Sequence, residues 1–502
     1  METFNQVQLP YPGVVYASLL VLLGVIYFFP SSTSNFICIN QHPWDIFHSK
    51  AKQQFEYNAT ALLRDGLQKG RSAFRLVTNM GVYLVLKDRY SEEIKNDDRF
   101  DAYDAVDDVL LVELPGFESW FQGDLHNHVA PFAVRALNRE LVHLTRALSE
   151  ETIHCLKTIW TDTTEWHEVS IHDTVLALVA QLTTRAFLGP ELCRNSEWLD
   201  IAKDFTTTRA AAVAAIQSWP KFLQPVVHWF LPSCKVVRRQ IHRAGKILLP
   251  LLERERRASG NWKVQPAKRE FSNLAFIDQY AKGSRYDATM VQMRLIAVAF
   301  QTTSDMVEKV LARLCKHPEL IPPLRDEVIS VLGQNNALHH SSLPKLTLME
   351  SVMKESQRLE PAVLISMFRV AKQTVTLKDG TVVPKGTSLA FANDLRFDPV
   401  MYPQPETFDG YRFQRMREDP EKADLAPFTK TRMSHLAFGH GKHACPGRFL
   451  ACDEAKVILS HILLNYEIRA VQACPPELCV RGMFIQLDPA AVMSVRRRER
   501  KS

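Results

Sequence analysis

Along the chain the apolar positions fall into two regimes. Residues Leu9 to Phe29 carry no charged side chain, whereas from about residue 46 apolar and polar positions alternate with helical spacing. The first run, with its core from Val14 to Phe29, has no polar face. About 21 residues at about 1.5 Å each cover roughly 30 Å of hydrocarbon. Tyr11, Tyr16 and Tyr27 suit a membrane interface, and Pro30 stops the helix. The pattern predicts an N-terminal membrane anchor over residues 1–35, with its helix at 9–29. A cleaved signal peptide would show a basic n-region and a small-residue cleavage site, and neither is present. Only Glu2 is charged before the run, while Lys50, Lys52, Arg64, Lys69 and Arg71 follow it. The positive-inside rule then puts the rest of the chain in the cytosol.

The second regime predicts long amphipathic helices over Val129–Thr158, His172–Leu188, Lys235–Arg257 and Asp287–Cys315. Strand signals are few. Thr374–Leu377 and Thr381–Val383 flank Lys378-Asp379-Gly380 as a hairpin, Ser388–Phe391 follows another turn, and Ala491–Val495 closes the chain. This is mainly α with small β-sheets, not a regular βα alternation. No linker, repeat or low-complexity stretch divides residues 36–502, so they are expected to form one domain. The segment from Trp219 to Pro232 is unusually apolar and reads either as core or as a second membrane contact.

Charge and cysteine usage narrow the function. The formal net charge is +6, much of it in Arg496, Arg497, Arg498, Arg500 and Lys501. No zinc-finger spacing or basic–aromatic stripe supports nucleic-acid binding. The 9 cysteines are odd in number, dispersed and mostly set in apolar runs, which fits reduced thiols facing the cytosol. No glycine-rich loop follows a strand to cradle phosphate, so no flavin or nicotinamide domain is expected.

The informative chemistry is the run Phe438-Gly439-His440-Gly441-Lys442-His443-Ala444-Cys445-Pro446-Gly447-Arg448-Phe449. Glycines permit a tight backbone around Cys445. A helical pattern follows, so a thiolate there sits at a helix N-terminus, where the dipole and free N–H groups stabilise its charge. Taken alone, the loop also fits a buried structural cysteine or a zinc site using His440, His443 and Cys445. The second ligand pair usual in structural zinc sites does not stand out. Cys452 reads as plain core.

The same run resembles the Phe-x-x-Gly-x-(Arg or His)-x-Cys-x-Gly pattern of the cytochrome P-450 haem-thiolate monooxygenases, through Phe438, Gly441, His443, Cys445 and Gly447. Other segments resemble that family in order. Glu355-Ser356-Gln357-Arg358 is similar to its Glu-x-x-Arg helix, and Pro405–Phe413 to the segment whose arginine, here Arg412, joins that pair. Arg369 resembles a propionate-binding arginine. Ala297–Ser304 resembles the distal helix that faces the oxygen side. The resemblance implies haem b with Cys445 as the iron ligand, held also by Phe438, Gly441, His443, Gly447 and Arg369. It implies a structural triad of Glu355, Arg358 and Arg412. Thr302 would guide proton delivery beside Ala299, with Gln301 where many members have an acid. Ala299, Phe300, Thr303, Val363, Leu364, Ile365, Met483 and Phe484 would line the substrate pocket. The family's Trp-x-x-x-Arg helix is not recognisable: Asp124 follows Trp120, leaving His126, His128 or Arg135 for the remaining propionate role.

The expected activity is insertion of oxygen from O2 into a small apolar molecule, with electrons from a separate NADPH-dependent reductase. Phe74–Thr78 and Tyr90–Ile94 resemble fungal, ent-kaurene-oxidase-like members, which implies a terpenoid or meroterpenoid intermediate of fungal secondary metabolism as substrate. A monomer in the endoplasmic reticulum membrane, single-pass with its catalytic domain in the cytosol, is the expected setting. Two rivals remain: a haem-thiolate isomerase or dehydratase needing no reductase, favoured only by Gln301, and a membrane scaffold with a structural or zinc-bound Cys445.

Overall fold

The computed structural model describes residues 36–499 apart from 43, 46–47, 70–71, 119–125, 260–273, 275, 279–285, 333–337 and 472–475. The expected anchor therefore lies outside the described residues. Among the described residues no helix is long and apolar enough to cross a membrane.

The chain is mainly helical with small sheets. Its longer helices are α1 (Ser49–Lys69), α2 (Tyr103–Leu110), α3 (His126–Ile159), α4 (Ile171–Leu188), α5 (Ser196–Gln217) and α6 (Pro232–Ser259). They continue with α7 (Ala288–Lys316), α8 (Ile321–Leu332), α9 (Thr347–Leu359), α10 (Arg412–Glu418) and α11 (Arg448–Asn465). The starts follow from local chemistry. Ser170, Asn195 and Asp287 cap α4, α5 and α7, each side-chain oxygen accepting from a backbone N–H in the first turn.

Helix α7 is the axis of the molecule. It packs against α4, α5, α6, α9 and α11 and is buried on most of its circumference. One apolar cluster joins α3, α4, α8, α9 and α11 around it, through residues such as Leu137, Val179, Val307, Val352 and Ile458. A second joins α5 and α6 to its N-terminal half through Phe205, Val237, Met293 and Phe300.

Among the described residues, four small sheets trim the helices. β1 (Ala73–Thr78), β2 (Gly81–Leu86), β3 (Phe100–Asp101), β5 (Ser366–Ala371) and β8 (Ser388–Phe391) form the largest, in the order β1-β2-β8-β5-β3. Helix α1 lies on β1, and Gly66 is required there: a Cβ would stand 2.2 Å from the Phe74 ring. β4 (His167–Ser170), β12 (Val492–Arg497) and β9 (Tyr466–Ala470) make a three-stranded sheet. The expected hairpin is β6 (Val375–Thr376) with β7 (Val382–Val383), turned by Gly380 at φ 85. A last hairpin pairs β10 (Leu478–Arg481) with β11 (Phe484–Leu487).

The Trp219–Pro232 segment is not core. It folds into short helical turns that leave Phe222 and Phe230 each 71% exposed, with Trp219, Val226 and Trp229 beside them on the surface.

Candidate active site

Three stretches outside it hold the Cys445 loop: residues 95–96, Asn138 and residues 428–429. The Cys445 N–H donates to the Phe438 carbonyl across 2.8 Å, closing the loop on itself. Gly439 and Gly441 turn it with φ 66 and 78, a region that costs an L side chain strain. Gly441 also has no room: a Cβ would lie 2.6 Å from Lys95 Cβ. Lys442 N–H donates to Asn96 Oδ1 at 2.8 Å, and Asn138 Nδ2 to the Pro446 carbonyl at 2.8 Å. Arg448 ties the start of α11 back, donating to the Cys445 carbonyl at 2.7 Å and the Thr429 carbonyl at 2.9 Å. Phe438 packs edge-on to Phe428.

The loop places a thiol at the N-terminus of α11. Burial pushes the Cys445 thiol up, while the amides of Gly447 and Arg448 and the Arg448 charge pull it back. A metal bound there would take the thiolate, with those donors already aimed at its charge. The three zinc candidates do not converge. His440 bonds Glu92 at 2.7 Å, with Lys95 and Thr431 each at 3.3 Å, and His443 packs edge-on to Tyr103. Among the described residues no group of three His, Cys, Asp or Glu is arranged to hold a metal ion. A single thiolate from one side is the donor set of a haem iron rather than of zinc.

Arg369 tests that fit. It is buried on β5, just after Met367 turns the strand with φ 54. Its Nη1 donates to the Phe368 carbonyl at 2.8 Å, but its Nε and Nη2 meet no partner. Burial lowers it to about 10, so it is still a cation at neutral pH. Burial first, then Arg369 and Lys442, bring His443 down to about 4, leaving a neutral imidazole. Two buried N–H groups on a cation beside a neutral histidine call for an anion, and haem propionates supply one. Tyr103, edge-on to His443, was not legible as part of this cluster. Of the three candidates for the remaining propionate, Arg135 is exposed, and the side chains of His126 and His128 lie outside the described residues, as do Trp120 and Asp124.

On α7 the expected oxygen-side residues split by face. Thr302 is exposed, Val298 is 42% exposed one turn earlier, and Ala299 and Gln301 are half-buried. These positions form one open stripe on an otherwise buried helix. Thr302 Oγ1 donates to the Val298 carbonyl at 2.8 Å, the back-bond common to helical threonines. Phe300 and Thr303 turn the other way and are buried, so Val298, which no motif marked, takes their expected place on the open stripe.

The remaining pocket residues do come together. Leu364 N–H donates to the Met483 carbonyl at 2.7 Å, Ile485 N–H to the Ala362 carbonyl at 3.2 Å, and Val363 bridges to Phe484. Leu364, Ile365 and Met483 are buried in one cluster, and Phe484 is exposed.

Behind the site, Glu355 accepts from Arg358 through both oxygens at 2.8 Å. Arg358 Nη1 goes on to the Arg396 and Pro405 carbonyls, and Arg412 reaches those of Pro403, Gln404 and Thr407. Every charge in this network has its acceptors or donors, so it ties the 396–412 segment to α9.

Comparison with known proteins gives the family. The family model described as Cytochrome P450 (written P-450 here) matches residues 127–493. The chain is 76% identical over 498 residues to a fumitremorgin C monooxygenase of Neosartorya fischeri, covering 99% of this chain and 98% of that one. It is 75% identical over 498 residues to a fumitremorgin C monooxygenase of Aspergillus fumigatus, with the same coverage of each. A cytochrome P-450 monooxygenase of Penicillium rubens, roqO, is 66% identical over 500 residues, 99% of each chain.

Proposed function

This chain belongs to the cytochrome P-450 family, and from that premise we propose that it oxidises fumitremorgin C or a compound of closely similar shape, with Cys445 as the iron ligand. That it is a monooxygenase of fungal secondary metabolism follows from the same relatives. The substrate reading rests on one observation: identity near three quarters across almost the whole length of two enzymes named for that compound. It replaces the terpenoid expectation, which stood on two short segments and finds no support in the relatives' names.

Members of this family use haem with an axial cysteine thiolate, O2, and NADPH through a reductase. When bound, haem supplies the activation of O2. The chain supplies the rest. The Cys445 loop offers the thiolate, Arg369 and His443 offer donors to the propionates, and the Glu355 network keeps the proximal side rigid. The open stripe of α7 brings the Thr302 hydroxyl to the oxygen side, where it holds and passes a proton. Val363 and Phe484 form the wall that orients the substrate. Electrons come from a separate NADPH-dependent reductase. The protein is a monomer anchored in the endoplasmic reticulum membrane by residues 1–35, with its catalytic domain in the cytosol.

The purified full-length chain, mixed with a fungal P-450 reductase, NADPH and fumitremorgin C, should form a product richer in oxygen. Its reduced, carbon-monoxide-bound spectrum should show the red-shifted band of thiolate-ligated haem. That band without any product from fumitremorgin C would remove the substrate reading and leave the family assignment standing.

A further inference from the structure

A buried lysine on α7 lies outside every motif discussed above. Lys309 is 2% exposed, although lysine is among the side chains least often buried. Its ammonium meets three oxygens: Asp305 Oδ2 at 2.6 Å, the Ile485 carbonyl at 2.7 Å and the Pro361 carbonyl at 3.4 Å. Three donors find three acceptors, the arrangement that makes a buried ammonium tolerable.

The acceptors are what give the contact meaning. Pro361 stands two residues before Val363, and Ile485 directly follows Phe484. These segments are far apart in sequence and are joined to each other by the Leu364–Met483 and Ile485–Ala362 hydrogen bonds. Lys309 is thus the third side of a joint between both pocket segments and α7. It lies seven positions after Thr302, so the two point in directions within about 20° around the helix axis, roughly 10 Å apart along it. Moving the joint would therefore shift the substrate wall against the helix face that carries the hydroxyl.

We infer that Lys309 is a positioning residue for substrate: it sets the height of the Val363–Phe484 wall over the α7 face, and with it the position on the substrate that is attacked. The role rests on the reading of this face as the substrate side of the haem site. Asp305 serves it as counter-ion. Burial pushes that carboxyl up to about 6, with Lys309 opposing and Glu308 and Glu360 adding to the rise. Removing the lysine alone would leave a buried acid without its partner, so the informative variant removes both charges.

The test uses the holoenzyme with Lys309→Met/Asp305→Asn, and fumitremorgin C as the probe. Carbon monoxide spectra should match the wild type. Amide hydrogen exchange should quicken in residues 361–365 and 483–487 while the Glu355 network stays protected. The dissociation constant from the substrate-induced spectral shift should rise about ten-fold, the scale of a lost charged hydrogen bond on one wall. The ratio of oxidised products should change, with kcat falling less than kcat/KM. Two results overturn the inference: unchanged exchange in both segments, or a lower melting temperature with binding and product ratio unchanged, which marks a merely structural lysine. If wild type itself gives no spectral shift with fumitremorgin C, the substrate reading fails instead, and the exchange pattern alone decides the joint.

Discussion

Arg412 Nε lies 2.9 Å from Glu355 Oε1, the two residues standing 57 positions apart in sequence and both side chains buried. No helix repeat brings these two together. The carboxylate on α9 is shared by Arg358 from its own helix and Arg412 from α10, so one acid is the counter-charge to two cations whose remaining donors go to backbone carbonyls. Such a network is stable only while complete.

Glu355→Ala should therefore cost about 3–5 kcal/mol, because two guanidiniums remain buried without their counter-charge. Thermal unfolding checks the stability. Carbon monoxide spectra check the consequence, since a loosened 396–412 segment should release haem. Normal stability in this variant would show that the carbonyls around Arg358 and Arg412 suffice alone.

The fold was legible where period and burial agree. All four predicted helices exist with ends shifted by three residues or fewer, because each has a broad apolar face against α7 or its neighbours. The strands of residues 73–86 were missed as structure: Ala73–Thr78 is buried on both faces and shows no alternation. The Cys445 loop was legible from its glycines, and the structure explains two of them by φ and by Lys95. Tyr103 and Lys309 were not legible. One is a lone aromatic on a short helix, and the other a single lysine within an apolar helical pattern; only tertiary contacts give either a role. Phe300 and Val298 show a different limit: a motif names a segment, but the face is set by packing.

Glu454 offers a pH test away from the site. It is buried on α11, and among the described residues the Thr183 hydroxyl is its donor, at 2.8 Å. Burial raises it from its ordinary 4.5 to about 8, with Thr183 opposing. The folded state therefore holds this proton more tightly than the unfolded chain. Stability should fall as pH rises from about 4.5 to about 8, then level off, because the unfolded carboxyl ionises first. Glu454→Gln keeps an oxygen for Thr183 and removes the loss. It should melt with wild type near the low end of that window and at a distinctly higher temperature near the high end. Parallel melting curves at both pH values would show that Glu454 is ionised in the fold.

The exposed Phe222, Trp229 and Phe230 make a prediction about the membrane. Aromatics of this kind favour the interface of a bilayer. Deleting residues 1–30 should weaken attachment to microsomes and leave the haem spectrum intact. In that truncated chain, Phe222→Ser/Phe230→Ser should shift the protein further into the soluble fraction. If the deletion alone releases all of it, the aromatic turn makes no contact with lipid; if it releases none, residues 9–29 are not the main anchor.

The last prediction separates two adjacent hydroxyls. Consecutive helical residues sit about 100° apart, so Thr302 and Thr303 cannot share a face. Thr302 is on the open stripe with Val298, and Thr303 is 3% exposed. With Gln301 unable to ionise, proton delivery on this face depends on the Thr302 hydroxyl and its water more than in a site that has an acid there. That hydroxyl is at present back-bonded to Val298, which leaves its oxygen free to accept. Thr302→Ala should keep haem and substrate binding but divert NADPH into hydrogen peroxide. Thr303→Ala removes a methyl and a hydroxyl from a packed interior, so it should lower the melting temperature by a few degrees, about 1 kcal/mol or somewhat more, with coupling unchanged. NADPH consumed, peroxide formed and product formed, measured for both variants, give the answer. Full coupling in Thr302→Ala, with peroxide release confined to Thr303→Ala, would place the oxygen-side face one residue further along the helix.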